Sequence, residues 1–239
     1  MHFFRFDELA VTEKGEKILL ERAEHNHLFR TLRASPGEYC GLLDGKGTKG
    51  IGKVLPGKEL LLEEKETVPP LPGPGLHLYM APVKRQKMDL ILKECTEWGI
   101  DSITPVICER SVALPSSESV EGRWQDLLFE ACKQSGNPYL PKVNPPMPLS
   151  QGMEEAVSRG FTSFYGSVKE RESNSLSGEE NDLAWFVGPE GGFTEKEERL
   201  MEEKRFIPLH IHSWILRAET AVIAGLVILR ERALGKSLP

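Results

Sequence analysis

Cysteine is scarce in this chain, and its four copies are scattered at Cys40, Cys95, Cys108 and Cys132. They form no Cys-x-x-Cys pair, and none has a histidine close by. Zinc sites need closely spaced thiolate and imidazole ligands, and disulfide frameworks occur in short, cysteine-dense chains. We therefore expect buried, reduced thiols and no bound metal.

Long hydrophobic runs are also missing. No stretch approaches the roughly 20 apolar residues that are needed to cross a bilayer. The amino terminus, MHFFRFDELAVTEKGEK, has no basic flank followed by an apolar core, which a secretory signal would have. We therefore expect a cytoplasmic protein with no membrane partner.

A basic excess is missing too, because 30 lysines and arginines stand against 36 aspartates and glutamates, and the net charge is −6. The field of the whole chain would repel a polyanion, so any nucleic acid must meet a local basic patch. What the chain does contain is 39% hydrophobic residues in a length of 239. That is enough to build folded cores, and the length favours two domains.

A proline-rich stretch divides the chain. TVPPLPGPG, Thr67 to Gly75, places four prolines and two glycines in nine residues, which is typical of a domain boundary. Before it, short apolar runs such as EYCGLLD and GIGKVL are separated by glycines and predict a small β-rich domain over residues 1–70. A second domain is predicted over residues 75–239.

The second domain alternates between strand and helix patterns. LHLYMAP predicts a buried strand, KRQKMDLILKECTEWG an amphipathic helix, and SITPVI another strand. Further strands are predicted for FTSFYG, DLAWFVG and FIPLHI, and further helices for RWQDLLFEACKQSG, TEKEERLMEEKR and LRAETAVIAGLVILRERAL. This order predicts an α/β domain. The polar segment Ser167–Asp182 is expected to be a mobile loop.

One glycine pattern is a false lead. GKGTKG, Gly45 to Gly50, matches the Gly-x-Gly-x-x-Gly fingerprint of dinucleotide-binding proteins. That fingerprint needs a helix after it, whereas IGKVL continues as a strand. We therefore predict a hairpin turn rather than a nucleotide-binding module.

A second glycine pattern has the context of a binding site. GPEGGFT follows a buried strand and precedes a helix, which is where ligands bind in open α/β sheets. Thr194 is a candidate helix cap with Glu197 as its capping-box partner. The pattern alone is also compatible with an ordinary turn.

The last pattern is LHIHSWILRAETA, in which a strand passes through a short loop into a helix. Its first turns contain Arg217 and Glu219, which form either part of a site or a simple salt bridge. Small residues recur at helical spacing, which indicates that another element packs close to this helix. These residues are Ala218, Ala221, Ala224 and Gly225.

Together these patterns are similar to the RsmE family of 16S rRNA uracil-N3 methyltransferases. The segments that carry the resemblance, in family order, are HNHLFRTLR, KRQKMDLILKECTEWGIDSITPV, ACKQSGN, FVGPEGGFTEKE and ILRAETA. The resemblance spans nearly the whole chain. It implies an RNA-binding, PUA-like β-barrel over residues 1–70 and a SPOUT α/β methyltransferase domain over residues 75–239. The carboxyl-terminal chain of a SPOUT domain is threaded into a trefoil knot, a rare exception to the rule that folds avoid knots.

The resemblance also implies S-adenosylmethionine as cofactor, bent within the knot and held by backbone groups. Glycine suits such a site because a β-carbon would occupy the cofactor's space. The implied partners are 16S rRNA or the small ribosomal subunit and a second copy of the chain, since family members form homodimers. The implied cofactor-binding residues are Gly188, Pro189, Gly191, Gly192, Leu209, Ile211, His212 and Leu216.

For the implied reaction, the uracil base must be exposed and its N3 must lose a proton. We expect Arg217 to stabilise the developing uracil anion or its phosphate. We expect Glu190 or Glu219 to accept the proton or to orient the base.

Two basic groups are candidates for RNA docking. His27, Arg30 and Arg33 fall three residues apart and are expected to share a helical face. Lys84 and Arg85, with Lys87, cluster at the start of a predicted helix. A solvated surface is the alternative for both groups.

This sequence departs from the family pattern at a few positions. His212 and Trp214 stand where glycine and arginine usually precede the ILR motif, and Lys133 opens the family's Glu-Gln-Ser motif. The arginine that commonly follows that motif is missing, because Gly136 and Asn137 come next. Trp214 would be able to stack on a base. A divergent SPOUT enzyme acting on another RNA, and a knotted RNA-binding protein without catalysis, stay open as alternatives.

Overall fold

The computed structural model describes residues 1–112, 122–169 and 181–234. The chain falls into two compact units, residues 1–71 with 128–140 and residues 72–127 with 141–239. Each unit has its own sheet and hydrophobic core. Residues 170–180 of the predicted mobile loop lie outside the described residues.

The first unit is built on a mixed β-sheet. Its elements up to residue 71 are β1 (Phe3–Arg5), β2 (Lys17–Ile18), α1 (Arg22–Asn26), a π-helical turn (His27–Thr31), β3 (Tyr39–Leu43), β4 (Thr48–Val54) and β5 (Leu60–Thr67). The strand order is β1-β3-β4-β5-β2, with β1 parallel to β3 and the other neighbours antiparallel.

The core of this unit follows from side-chain alternation along its strands. In β4 every second residue is buried, because successive side chains point to opposite faces of a strand. The apolar side chains that pack together are Phe4, Leu9, Ile18, Leu20, Leu28, Cys40, Leu42, Val54, Leu60 and Leu62.

The GKGTKG segment forms the connection between β3 and β4, which pair antiparallel. Gly45 and Gly47 have φ of 74° and 104°, a region that glycine adopts without steric cost. A strand follows, so the predicted hairpin turn is confirmed and the fingerprint reading fails for lack of a helix.

The second unit is an α/β structure around a parallel sheet. The remaining elements of the chain are β6 (Leu76–Met80), α2 (Arg85–Glu97), β7 (Ser102–Ile107), α3 (Trp124–Ser135), β8 (Lys142–Val143), β9 (Met147–Pro148), α4 (Leu149–Ser158), β10 (Thr162–Gly166), β11 (Leu183–Val187), α5 (Glu195–Glu203), β12 (Ile207–Leu209) and α6 (Ala218–Ala233). Residues 128–135, the greater part of α3, belong to the first unit.

The strand order of the parallel sheet is β12-β10-β11-β6-β7-β8, and β9 also pairs with β7. Since the strands are parallel, their carboxyl ends lie at one edge of the sheet. The loops that follow β10, β11 and β12 therefore open next to one another, which is where open α/β sheets bind ligands.

Helix α6 packs on the sheet at very short range. Trp185, in the middle of β11, is 0% exposed. A β-carbon added to Gly225 of α6 would lie 2.3 Å from Trp185 Cε2, so only glycine allows this contact. The close packing that the small residues of this helix predicted is confirmed at Gly225.

The four cysteines are free and buried. Burial raises the pKa of the Cys40, Cys108 and Cys132 thiols to about 12, so they stay protonated at neutral pH. Within the described ranges, no group of three or more His, Cys, Asp or Glu side chains is arranged to hold a metal ion. None of the helices in those ranges is both long and apolar enough to cross a bilayer.

Candidate functional site

A cavity of about 470 Å³ opens where the carboxyl ends of β10, β11 and β12 meet. Its walls come mostly from the loops after these strands and from the start of α6. The lining residues are Lys87, Arg110, Gly166, Ser167, Val168, Val187, Gly188, Pro189, Glu190, Gly191, Gly192, Phe193, Glu198, Leu209, Ile211, His212, Trp214, Ile215, Leu216, Arg217, Ala218 and Ala221. Every predicted cofactor-binding residue lies in this wall.

The loop after β11 presents backbone rather than side chains to the cavity. The Gly192 N–H donates to the carbonyl oxygen of Pro189 (2.8 Å), and Gly192 has φ of 68°. A β-carbon at Gly188 would come 3.2 Å from the backbone nitrogen of Phe193, closer than most real contacts. Glycine at these positions is therefore required by the loop's conformation and by its tight packing.

Helix α5 begins directly after this loop, and its start is fastened by the predicted capping box. The Glu197 N–H donates to Thr194 Oγ1 (3.3 Å), and the Thr194 N–H donates to Glu197 Oε2 (2.7 Å). The Glu109 N–H donates to the other carboxylate oxygen of Glu197 (2.8 Å). The box is confirmed, and it ties the end of the glycine loop to the chain that follows β7.

Arg110 is a residue of the cavity wall that sequence reasoning missed. It lies three residues after β7, and its Nη1 donates to the carbonyl oxygen of Gly191 (2.8 Å). Its only sequence signal is a position just beyond the carboxyl end of a buried strand, where α/β proteins place ligand-binding groups.

The loop after β12 forms an apolar rim. Leu209, Ile211 and Leu216 line the cavity, while Trp214 and Ile215 are 76% and 84% exposed at the same wall. The Trp214 N–H donates to His212 Nδ1 (3.0 Å), which gives His212 a structural contact within the loop.

The start of α6 carries the charged groups of the site. Arg217 precedes the helix, is exposed and lines the cavity. Glu219 does not line the cavity, and its side chain is 15% exposed beside Lys87, whose Nζ lies 3.3 Å from Glu219 Oε2. Glu219 therefore pairs with Lys87 and not with Arg217, contrary to the simple salt bridge that the sequence left open.

The electrostatics keep Glu219 ionised. Burial alone would raise its carboxyl pKa, but hydrogen bonding from its own backbone N–H and the charges of Lys87 and Arg217 outweigh that effect. The net result is a Glu219 pKa below its ordinary value.

A second acidic group, Glu198, lines the cavity from α5. Its side chain is 13% exposed, and Lys169 Nζ lies 2.8 Å from its Oε2. Sequence reasoning missed this pair because its members are far apart in the chain and belong to different elements.

The predicted RNA-binding residues are found at the surface. His27 and Arg30 are exposed in the π-helical turn, whereas Arg33 lies beyond it with φ of 58°. The expected shared helical face is therefore wrong for Arg33, because the helical segment ends at Thr31. Lys84 and Arg85 are exposed at the start of α2.

A serine, histidine and aspartate also meet outside the cavity. His77 Nδ1 lies 2.7 Å from Ser102 Oγ, and His77 Nε2 lies 3.4 Å from Asp182 Oδ2. This group sits near the amino ends of β6 and β7, at the opposite edge of the sheet from the cavity, and His77 and Ser102 are buried. His77 also stacks on Phe161 (centroids 4.3 Å apart), so the group joins elements of the core rather than facing a substrate.

Comparisons with known proteins agree with this geometry. Residues 70–230 match a family model described as an RNA methyltransferase domain. The ribosomal RNA small subunit methyltransferase E of Aquifex aeolicus is 31% identical over 96% of this chain and 99% of its own length. The enzyme of that name from Synechocystis is 31% identical over 87% of this chain and 71% of its own length.

Solved structures give the same picture. A ribosomal RNA small subunit methyltransferase E from Neisseria gonorrhoeae, bound to S-adenosyl methionine, superposes with a TM-score of 0.86 at 27% identity, over 96% of this chain and 97% of that one. A putative methyltransferase from Legionella pneumophila, in complex with the same cofactor, gives 0.81 at 25% identity, over 96% of each chain. The predicted fold class, a PUA-like β domain followed by a SPOUT methyltransferase domain, is confirmed. This chain therefore belongs to the ribosomal RNA small subunit methyltransferase E family.

Proposed function

We propose that this protein methylates N3 of a uridine in 16S ribosomal RNA, with S-adenosylmethionine as the methyl donor. The observation that carries the proposal is the backbone-lined cavity at the carboxyl ends of β10, β11 and β12, in a chain of a ribosomal RNA methyltransferase family. Its volume of about 470 Å³ falls in the range of pockets that bury a small molecule.

The residues present suit this cofactor. The glycine loop from Gly188 to Gly192 offers peptide groups without intervening side chains, and Leu209, Ile211 and Leu216 offer an apolar wall for a purine. Pro189 and His212 complete the set that we assign to cofactor binding. When bound, S-adenosylmethionine supplies an electrophilic methyl group on its sulfonium, and the protein's task is to align an acceptor with it.

The charged groups at the start of α6 suit the handling of the acceptor. Uracil N3 carries a proton, so transfer requires a proton acceptor and stabilisation of the charge that develops on the base. Arg217 is exposed at the cavity wall and is assigned to the developing anion or its phosphate.

Two carboxylates remain as proton acceptors, and their surroundings separate them. The pKa of Glu219 is lowered and Lys87 occupies its carboxylate, which makes it a weak base and suits it to orienting neighbouring groups. Glu190 is exposed on the glycine loop and lines the cavity, so we assign proton acceptance to it.

RNA binding is assigned to local basic groups, since the chain as a whole carries a net charge of −6. In the first unit, a PUA-like RNA-binding domain over residues 1–70, these are His27, Arg30 and Arg33. At the start of α2 they are Lys84 and Arg85, and all five side chains are exposed. The substrate is 16S rRNA as free RNA or within the small subunit.

We further propose that the protein works in the cytoplasm as a homodimer. Helix α6 supports this, because Val222 and Leu226 are buried in the core while Ile223 and Val227 remain half-buried. The exposed Trp214 and Ile215 precede the same helix. Light scattering of the purified protein measures its mass directly, and a mass of one chain would contradict the dimer.

The test of the function uses purified protein, S-adenosylmethionine and either free 16S rRNA or small subunits from cells that lack the protein. Nuclease digestion and mass spectrometry should detect one new N3-methyluridine, and mapping of the digest identifies its position. A methyl group on another base or another RNA would support a divergent SPOUT enzyme. Binding of RNA without any heat of binding for S-adenosylmethionine would support an RNA-binding protein without catalysis.

A further inference from the structure

Arg110 reaches from the turn after β7 to the glycine loop after β11. Its Nη1 donates to the carbonyl oxygen of Gly191 (2.8 Å) and lies 3.4 Å from that of Phe193. Its aliphatic part covers the same residue, since a β-carbon at Gly191 would lie 3.4 Å from Arg110 Cδ and 3.5 Å from its Cβ. The side chain therefore contacts the loop through both its charge and its stem.

The turn that carries Arg110 is itself held in place. The Cys108 N–H donates to Ser111 Oγ (3.0 Å), which closes the turn around Glu109 and Arg110. The Glu109 N–H donates to the capping-box carboxylate of Glu197 (2.8 Å). Arg110 is thus mounted on a segment that is hydrogen-bonded to the far end of the glycine loop.

The loop that Arg110 contacts has little else to restrain it. Gly191 and Gly192 are exposed, and glycine has the largest conformational freedom to lose when a loop becomes ordered. A hydrogen bond from a guanidinium is stronger than one between neutral groups and does not depend on pH near neutrality. Two carbonyls held by one guanidinium fix the direction in which the loop's peptide groups point.

We propose that Arg110 is a positioning residue, which holds the Gly188–Gly192 loop in the conformation that binds the cofactor. This rests on the proposed function, because the loop is assigned there to S-adenosylmethionine. A preformed loop binds more tightly because the ordering cost is already met before the ligand arrives. Loss of Arg110 should therefore weaken cofactor binding while leaving the chemical step almost unchanged.

The experiment compares Arg110→Ala and Arg110→Lys with wild type. Calorimetry gives the Kd for S-adenosylmethionine and S-adenosylhomocysteine without any RNA. Steady-state assays on 16S rRNA give kcat and the KM for each substrate. Arg110→Ala should raise both Kd values and the cofactor KM about tenfold, with kcat at saturating cofactor within about twofold, as expected for one charged hydrogen bond. Arg110→Lys should recover part of the loss, because an ammonium can still donate to one carbonyl.

The matched control is Arg199→Ala on α5, whose side chain is 75% exposed and pairs with Glu195 at 3.7 Å. It should leave Kd, KM and kcat at wild-type values. Thermal unfolding without ligand checks that each variant is folded.

Three results would overturn the proposal. The first is an unchanged cofactor Kd in Arg110→Ala, and the second is a rise in the RNA KM alone, which would make Arg110 a phosphate contact. The third is a fall in kcat that follows the fraction of unfolded protein. If wild type binds S-adenosylmethionine but does not methylate 16S rRNA, the proposed function fails while the calorimetric test of Arg110 stands. If wild type does not bind the cofactor, both proposals are wrong.

Discussion

At the scale of single residues, the departures from the family pattern have local structural partners. His212 accepts the Trp214 N–H (3.0 Å), so the two unusual residues of the loop after β12 support each other. Lys133 is 8% exposed and lies 2.8 Å from Glu24 Oε1 and 2.6 Å from Glu130 Oε1. Burial alone would lower the Lys133 pKa, but hydrogen bonds to the two carboxylates raise it above its ordinary value. This lysine is thus part of a largely buried ion-pair group rather than a group for RNA.

Replacement of Arg217 tests the chemistry of the site. Arg217→Ala should lower kcat at least about 100-fold, because a cation aimed at developing charge acts mainly in the transition state. The Kd for S-adenosylmethionine should not change, since peptide groups and apolar side chains make the cofactor wall. Arg217→Lys, which keeps the charge, should retain part of the activity. Full methylation by Arg217→Ala in a discontinuous radiolabel assay would exclude the assigned role.

Trp214 belongs to the substrate side of the same wall. Its side chain is 76% exposed next to the cavity, and stacking of a base on an aromatic ring contributes about 1–3 kcal/mol. Trp214→Ala should raise the Kd for RNA about tenfold, whereas Trp214→Phe should stay close to wild type. Fluorescence anisotropy with a labelled rRNA fragment measures both. Trp98→Ala, which removes another partly exposed tryptophan (43%), is the control and should have no effect.

At the scale of helices and strands, hydrophobic periodicity predicted the elements that bury a regular stripe or run. Strands β6, β7 and β11 and helices α2, α5 and α6 appear where the patterns placed them. Helix α4 was missed because its segment follows Pro145, Pro146 and Pro148 and includes Gly152. Gly152 has a reason in the tertiary structure, since its β-carbon would lie 2.9 Å from Val106 Cγ1. Packing against the sheet thus outweighs a weak helix propensity.

Contact between α6 and β11 gives a prediction for stability. Gly225→Ala would place a β-carbon within van der Waals distance of the buried Trp185 ring, so the helix must shift. Overpacking of this kind costs about 1–3 kcal/mol in the free energy of unfolding. Urea unfolding should show that loss, together with lower activity, since α6 carries Glu219. The control is Gly122→Ala, where the new β-carbon meets nothing within 4 Å and stability should stay within about 0.5 kcal/mol.

His77 predicts how the stability of the sheet depends on pH. Burial lowers its pKa, an effect larger than the opposing influence of Asp182 and Asp101, while Arg159 acts in the same direction as burial. In the unfolded chain the imidazole titrates near pH 6.5. As pH falls below about 6.5, the unfolded chain takes up a proton that the folded protein does not. The contribution of His77 to stability is therefore present above that pH and is lost on acidification.

Urea unfolding at several pH values between 7.5 and 5.5 checks this. His77→Gln should be less stable at neutral pH, because it loses the stacking on Phe161, but its stability should fall less steeply with acid. Equal slopes for wild type and variant would show that other groups cause the pH dependence.

At the scale of the whole molecule, a net charge of −6 and an RNA substrate are compatible only if binding is local. Replacement of His27, Arg30 and Arg33 together by alanine should weaken RNA binding and flatten the slope of log Kd against log salt by about 1.5–3, according to the number of phosphates released. Filter binding between low and moderate salt measures the slope. Lys14→Ala with Lys58→Ala, exposed cations outside this segment, should leave it unchanged.

The site shows where prediction from sequence ends. The glycine loop and the start of α6 were recognised because their residues are contiguous, so that spacing and motif carry the signal. Arg110, and the pairing of Glu198 with Lys169 and of Glu219 with Lys87, join residues that are 29 to 132 positions apart or lie in unmarked turns. No local pattern records such contacts.

The sequence by itself determined the family, the order of strands and helices, and the glycine loop, because each is written in short-range spacing of apolar, small and turn-forming residues. Only the tertiary structure decided which charges face one another at the cavity. That outcome depends on how parallel strands are ordered in the sheet, and the order β12-β10-β11-β6-β7 brings distant segments of the chain to a common edge. Arg110 reaches Gly191 for that reason, although 80 residues separate them in the chain.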